Sequence, residues 1–149
     1  MTLQRKNEGF TIVELLIVIV VIGILAALVV TTFTGIQQRA RNTERETDIK
    51  AIHGQLEAYY AQNGSYPAMS DVNNAGWRST NMKGLDPEAL KDPKGSAQTL
   101  ATAASSTAYG YAPLSTTDGT CTTVDANCTK YTLTANLEGG TTFTKSSLN

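Results

Sequence analysis

Proline is scarce in this chain, with four residues in 149, and none of them precedes Pro67. Nothing in the first 66 positions therefore forces a helix to stop or kink. Histidine and tryptophan occur once each, as His53 and Trp77, and cysteine twice, as Cys121 and Cys128. One histidine and two thiols are too few for a tetrahedral metal site of the usual composition. No Ser/His/Asp set, phosphate loop or metal-ligand cluster is spaced along the chain, so the expectation is no cofactor, no metal and no enzyme. His53 reads as a polar neighbour of a packed helix face. Excess charge is also missing, since 12 basic residues stand against 13 acidic ones. That balance gives no electrostatic footprint for nucleic acid.

Charge is scarcest between Phe10 and Phe33, where Glu14 is the sole ionisable residue. The run exceeds the roughly 20 residues that a helix needs to cross a bilayer. A carboxylate inside it is costly in lipid and asks for a specific partner. If the chain is cut before Phe10, the helix starts with a free cationic amine. Glu14 then lies about 6 Å further along the axis. An identical helix staggered by one turn brings its Phe10 amine level with that carboxylate. At 4 Å and an effective dielectric of 20, the pair attracts by about 4 kcal/mol. The insertion cost of a charge at a helix centre is roughly 3 kcal/mol, and less near its end.

Gly9, Phe10 and Glu14, followed by the apolar run, resemble the leader and N-terminal segment of type IV prepilins and type II secretion pseudopilins. An ordinary signal peptide is too short and carries no such acid, a lipoprotein signal lacks its cysteine, and a plain signal anchor leaves Gly9-Phe10 and Glu14 unexplained. The resemblance implies that a prepilin peptidase cuts between Gly9 and Phe10 and that the Phe10 amine is N-methylated. It also implies that Glu14 pairs with Phe10 of a neighbouring copy in a helical homopolymer. An assembly ATPase and its membrane platform are the further implied partners. Removing Arg5, Lys6 and Glu8 with the leader moves the net charge from −1 to −2. Arg5 and Lys6 before the span favour an N-inside, C-outside topology; Arg39, Arg41 and Arg45 after it oppose that, offset partly by Glu44 and Glu46.

The expected organisation is a cleaved leader over 1–9, a membrane and filament-core helix over 10–36, and a globular head over 37–149. One continuous helix from Phe10 to about Asn63 is roughly 80 Å long. Beyond Gln37 it becomes amphipathic, with Ile49, Ile52, Leu56, Tyr59 and Tyr60 on one face. Arg41, Glu44, Glu46, Asp48 and Lys50 fall mostly off that face, and Glu46 and Lys50 form an i,i+4 pair. No heptad pattern persists long enough for a coiled-coil stalk. Many relatives of this type carry a proline after the small-residue segment; here Thr31, Thr32, Phe33, Thr34 and Gly35 stand instead. Their low helix propensity marks a stretch where the helix loosens in a polymer.

Asn63-Gly64 reads as a helix C-cap with Pro67 just beyond. Residues 68–107 read as a connecting region with one short helix over 85–91, capped by Asp86 with Pro87 at its first position. Asp92-Pro93-Lys94-Gly95 ends that helix, 96–107 reads as a surface loop, and Trp77 as a buried anchor. Tyr109–Ala112 is a short strand ending before Pro113. Residues 130–137 alternate with Tyr131, Leu133, Ala135 and Leu137 inward. Glu138-Gly139-Gly140 turns the chain, and 141–145 return as an edge strand. The head is then α+β, one helix laid across a small antiparallel sheet. Cys121 and Cys128 read as a disulfide in an exported segment.

The functional expectation is a structural subunit of a type IV pilus, inserted in the cytoplasmic membrane and then exposed at the surface. Its roles would be adhesion, twitching motility or DNA uptake. The alternatives are a pseudopilin of a secretion or competence system and a membrane-anchored module that never polymerises. The major secretion pseudopilin typically carries an acidic calcium loop near its C-terminus. Here 137–141 and the tail hold one acid, Glu138, and Asp118 and Asp125 lack the oxygen density of a calcium loop. That tilts the resemblance toward a pilin.

Overall fold

The computed structural model describes residues 9–115, 119, 121 and 128–149. The leader up to Glu8, and with it Arg5 and Lys6, lies outside the described residues, as do Asp118 and Asp125. Helix α1 runs without a break from Ile12 to Asn63. The chain divides into two compact units, one ending at Gln38 and the other comprising Arg39–Asn149.

In the first unit the apolar side chains of α1, from Ile12 to Ile36, are exposed. Among the described residues, α1 is the one helix long and apolar enough to span a bilayer. The threonine cluster does not interrupt it in the single chain. Thr31 and Thr32 donate their hydroxyls to the Leu28 carbonyl at 3.0 Å, and Thr34 donates to Thr31 O at 2.9 Å. Each hydroxyl is thereby satisfied on the helix's own backbone, the arrangement that lets threonine sit among apolar neighbours.

The second unit begins with the outer turns of α1. Ile49, Ile52 and Leu56 recur on one face and are closed to solvent. They form one core with Tyr111, Tyr131, Leu133 and Ala135 of a three-stranded antiparallel sheet. The strands are β1 (Gly110–Ser115), β2 (Cys128–Asn136) and β3 (Thr142–Ser146), in the order β1-β2-β3. Tyr111 lies opposite Leu133, and Ala135 opposite Phe143. The α+β head is as expected: a helix that cannot bury its apolar stripe alone covers the apolar face of a small sheet.

Gly64 ends α1 with φ +74°, its N–H donating to Tyr60 O at 2.7 Å. A left-handed residue there needs glycine, and it closes the C-cap. Glu138-Gly139-Gly140 makes the β2–β3 turn, with Leu137 N–H bonded to Thr141 O at 2.8 Å.

Five expectations need correction. The connecting region contains two further helices, α2 (Met69–Asn73) and α3 (Ala75–Asn81). They are five and seven residues long, too short to display a helical period. The segment capped by Asp86 is a 3-10 turn, Pro87–Leu90, with Asp86 accepting from Glu88 N–H as a cap does. Trp77 is only partly buried and covers Tyr59, ring centroids 5.1 Å apart; Arg78 beside it is the buried side chain of α3. Strand β1 continues through Pro113, which an edge strand accommodates. Part of the 96–107 loop is not free surface, because Leu100 is buried and Ala101 bridges Tyr109 and Tyr111 along the edge of β1. Gly110 is required there, since a Cβ would meet the Ala104 backbone.

Candidate functional site

At the start of α1, Gly9 and Phe10 are exposed and the helix begins two residues later. Thr11 and Glu14 form a reciprocal cap. The Thr11 N–H and hydroxyl both donate to Glu14 Oε2, at 2.8 and 2.7 Å, and the Glu14 N–H donates to Thr11 Oγ1 at 3.2 Å. Thr11-Ile12-Val13-Glu14 has the spacing of a capping box, a signal present in the sequence and missed by a reading centred on charge. The cap orders the first turn of a helix whose leading N–H groups have few other partners in an apolar surrounding. A carboxylate has about four acceptor sites, so Glu14 retains capacity for a further donor.

The two cysteines are joined. Cys121 and Cys128 form a disulfide with Cα atoms 5.7 Å apart, both nearly closed to solvent. Cys128 O accepts the Tyr66 N–H at 2.7 Å, which pins the chain leaving α1 to the start of β2.

A charge network that sequence reasoning did not foresee holds α1 to the head. Arg45, placed by sequence among the charges following the span, is instead fully buried. It donates from Nε and Nη2 to Asp92 at 2.7 and 3.0 Å. Arg41 and Lys94 both pair with Glu138, and Arg45 approaches it at 3.4 Å. Asn42 bonds the Glu138 backbone in both directions. Arg41 was expected off the packed face; its guanidinium bends back to the β2–β3 turn. Hydrogen bonding from Arg41, then from Lys94, holds the Glu138 carboxyl down to about 2. With three cations around it, Glu138 is not an acid free to ligate a metal. Among the described residues no group of three or more His, Cys, Asp or Glu is placed to hold one.

Asp48 was also expected off the face and turns in far enough to accept the Tyr109 hydroxyl at 2.7 Å. Burial pushes its carboxyl up to about 6. Glu57 accepts from Tyr131 at 2.8 Å and from Tyr66 at 3.0 Å. Tyr131 has one hydroxyl proton, given to Glu57, so its bond to His53 Nδ1 requires the proton on that nitrogen. His53 is thus a donor locked beside the packed face, as its position in the sequence suggested. Burial pushes the Tyr66 hydroxyl up to about 12.

Residues 4–30 match the family described as the prokaryotic N-terminal methylation motif. The chain is 42% identical over 65 residues to the type II secretion system core protein G of Pseudomonas aeruginosa, covering 44% of this chain and 46% of that protein. It is 38% identical over 65 residues to the protein of the same name from Dickeya chrysanthemi, covering 44% of this chain and 42% of that protein. Over 61 residues it is 36% identical to the type IV major pilin protein PilA of Myxococcus xanthus, covering 41% of this chain and 28% of that protein. In each case the chain spans less than half the length of the curated relative it matches. No solved structure matches it significantly. The methylation motif at the start of an unbroken apolar helix is what the chain shares with these relatives: over 61 to 65 residues it is similar to type II secretion core protein G and to a type IV major pilin.

Proposed function

We propose that this chain is a structural subunit of a type IV pilus and not an enzyme. It is inserted in the cytoplasmic membrane with its N-terminus inside, cut between Gly9 and Phe10, and N-methylated on Phe10. It is then assembled with its 10–36 helices in the filament core and its 37–149 heads outside. The observation that carries this reading is an apolar, exposed helix with one acid near its start, within a methylation motif. Glu14 receives the Phe10 amine of the neighbouring copy, on the acceptor capacity that the Thr11 cap leaves open. A prepilin peptidase, an assembly ATPase and a membrane platform act on the subunit in turn. At the surface the filament serves adhesion, twitching motility or DNA uptake.

A pseudopilin role is the second reading, favoured by the relatives that are secretion core protein G. The state of Glu138 favours the pilus. The turn's one carboxylate is held by Arg41, Arg45 and Lys94, which leaves no acidic loop there for calcium. A non-polymerising anchored module accounts for the apolar helix but not for the motif at its start.

Mass spectrometry of the N-terminal peptide from a sheared surface fraction tests the proposal. The expected peptide starts at Phe10 and carries one added methyl. A chain starting at Met1 and confined to membranes overturns it. Loss of surface filaments in a deletion strain separates pilus from pseudopilus.

A further inference from the structure

Arg78 is 7% exposed, yet among the described residues its guanidinium makes one hydrogen bond, from Nη1 to Val72 O at 2.6 Å. Among the described residues neither Arg78 nor Lys83 pairs with a carboxylate. Both line a groove of about 350 Å³ framed by α3 and the 3-10 turn, which Met82, Leu85 and Pro87 make apolar on one side. No acid lines it. Glu88, which accepts from Gln98 at the groove, is already paired with Lys91.

A guanidinium carries five N–H donors in a planar fork. With one carbonyl as its partner, the fork keeps donors that are not closed off from solvent, and an anion in the groove can take them up in place of water. The contrast with Arg45 is direct, since that guanidinium, 1% exposed, has Asp92 across two hydrogen bonds. We propose that the groove is a binding site for a small organic anion. Arg78 would grip its carboxylate or phosphate group, Lys83 would add a second charge, and the apolar wall would take its carbon body. Arginine forks match both groups in a two-point geometry. The site lies wholly in the head and does not depend on whether the chain polymerises.

The test is a titration of the ¹⁵N-labelled full chain in detergent micelles, following the Arg78 Nε–H resonance. Inorganic phosphate and acetate are the probes, with chloride at matched ionic strength as control. The expected result is a saturable shift with a millimolar Kd that chloride does not reproduce. Arg78→Lys should weaken binding by about tenfold or more, through loss of the charged fork. Lys83→Gln, at an exposed position that leaves the fold intact, should weaken it by about threefold to tenfold. Saturation by phosphate alone assigns a phosphate ester, by acetate alone a carboxylate, and by both a fork that accepts either oxyanion. The proposal is overturned if neither probe saturates, if chloride gives the same shift, or if Lys83→Gln binds as the parent does.

Discussion

Arg45 and Asp92, 47 residues apart in sequence, meet in a two-point ion pair with both side chains 1% exposed. One stands on α1 and the other follows the 3-10 turn of the connecting region. Two of the guanidinium's nitrogens are committed to the carboxylate, and Asp92 Oδ1 also accepts the Lys94 N–H at 2.8 Å. The pair therefore fixes where the connecting region crosses the helix, and it places Lys94 beside Glu138.

Breaking that pair from one side strands a buried charge. Arg45→Met should cost about 3–5 kcal/mol of head stability. The double substitution Arg45→Met with Asp92→Asn should lose much less than the sum of the two single changes. Urea unfolding of the full chain in micelles, read by Trp77 fluorescence, measures both. Additive losses would mean that the two side chains are not coupled.

Acid and base should act on the head through different carboxylates. Asp48 is pushed up to about 6 from 3.8, so between those values the folded head holds more protons than the unfolded chain. Its contribution therefore falls as pH rises from about 4 to 6. The Tyr109 hydroxyl opposes the shift, while Glu44, Asp92 and Asp86 add to it. Glu138 is held down to about 2 from 4.5, so its stabilising contribution is complete above 4.5 and disappears as pH falls toward 2. Unfolding midpoints measured across pH should show Asp48→Asn flattening the upper slope and Glu138→Gln the acid limb. A parent-like profile in either variant would refute that assignment.

The disulfide should matter chiefly through the unfolded chain. Replacing Cys121 and Cys128 with serine frees a loop with a sequence separation of 7. The expected cost is about 2–3 kcal/mol in the loop-entropy account. Denaturant titration of the double variant measures it, and the Tyr66–Cys128 backbone bond should exchange hydrogen faster. Both sulfurs are buried, so the native head should resist a mild reductant until it unfolds.

Glu14→Gln keeps the length and the Thr11 contact but removes the charge. Membrane insertion and cleavage should persist while filaments fall sharply, because the proposed attraction to the neighbouring Phe10 amine disappears. Immunoblots of membrane and sheared fractions measure the split. Abundant filaments from the variant would remove Glu14 from the assembly contact.

By itself the sequence determined the elements whose signals are local or periodic. A proline-free apolar run specifies an unbroken helix, Asn63-Gly64 closes it, and the alternation through Tyr131, Leu133 and Ala135 specifies a half-buried strand. Thr11 was legible too, through its spacing from Glu14. Tertiary structure alone decided which charges meet. Arg45, Asp48, Arg78, Asp92 and Glu138 look like solvated surface in a linear reading, because no short-range pattern separates a charge facing water from one facing a distant partner. Helices α2 and α3, of five and seven residues, are shorter than the roughly 11–18 residues over which a helical period can be read, so contact with the rest of the head sets their conformation. The continuation of β1 through Pro113 was likewise decided by its place at a sheet edge, which propensity does not encode.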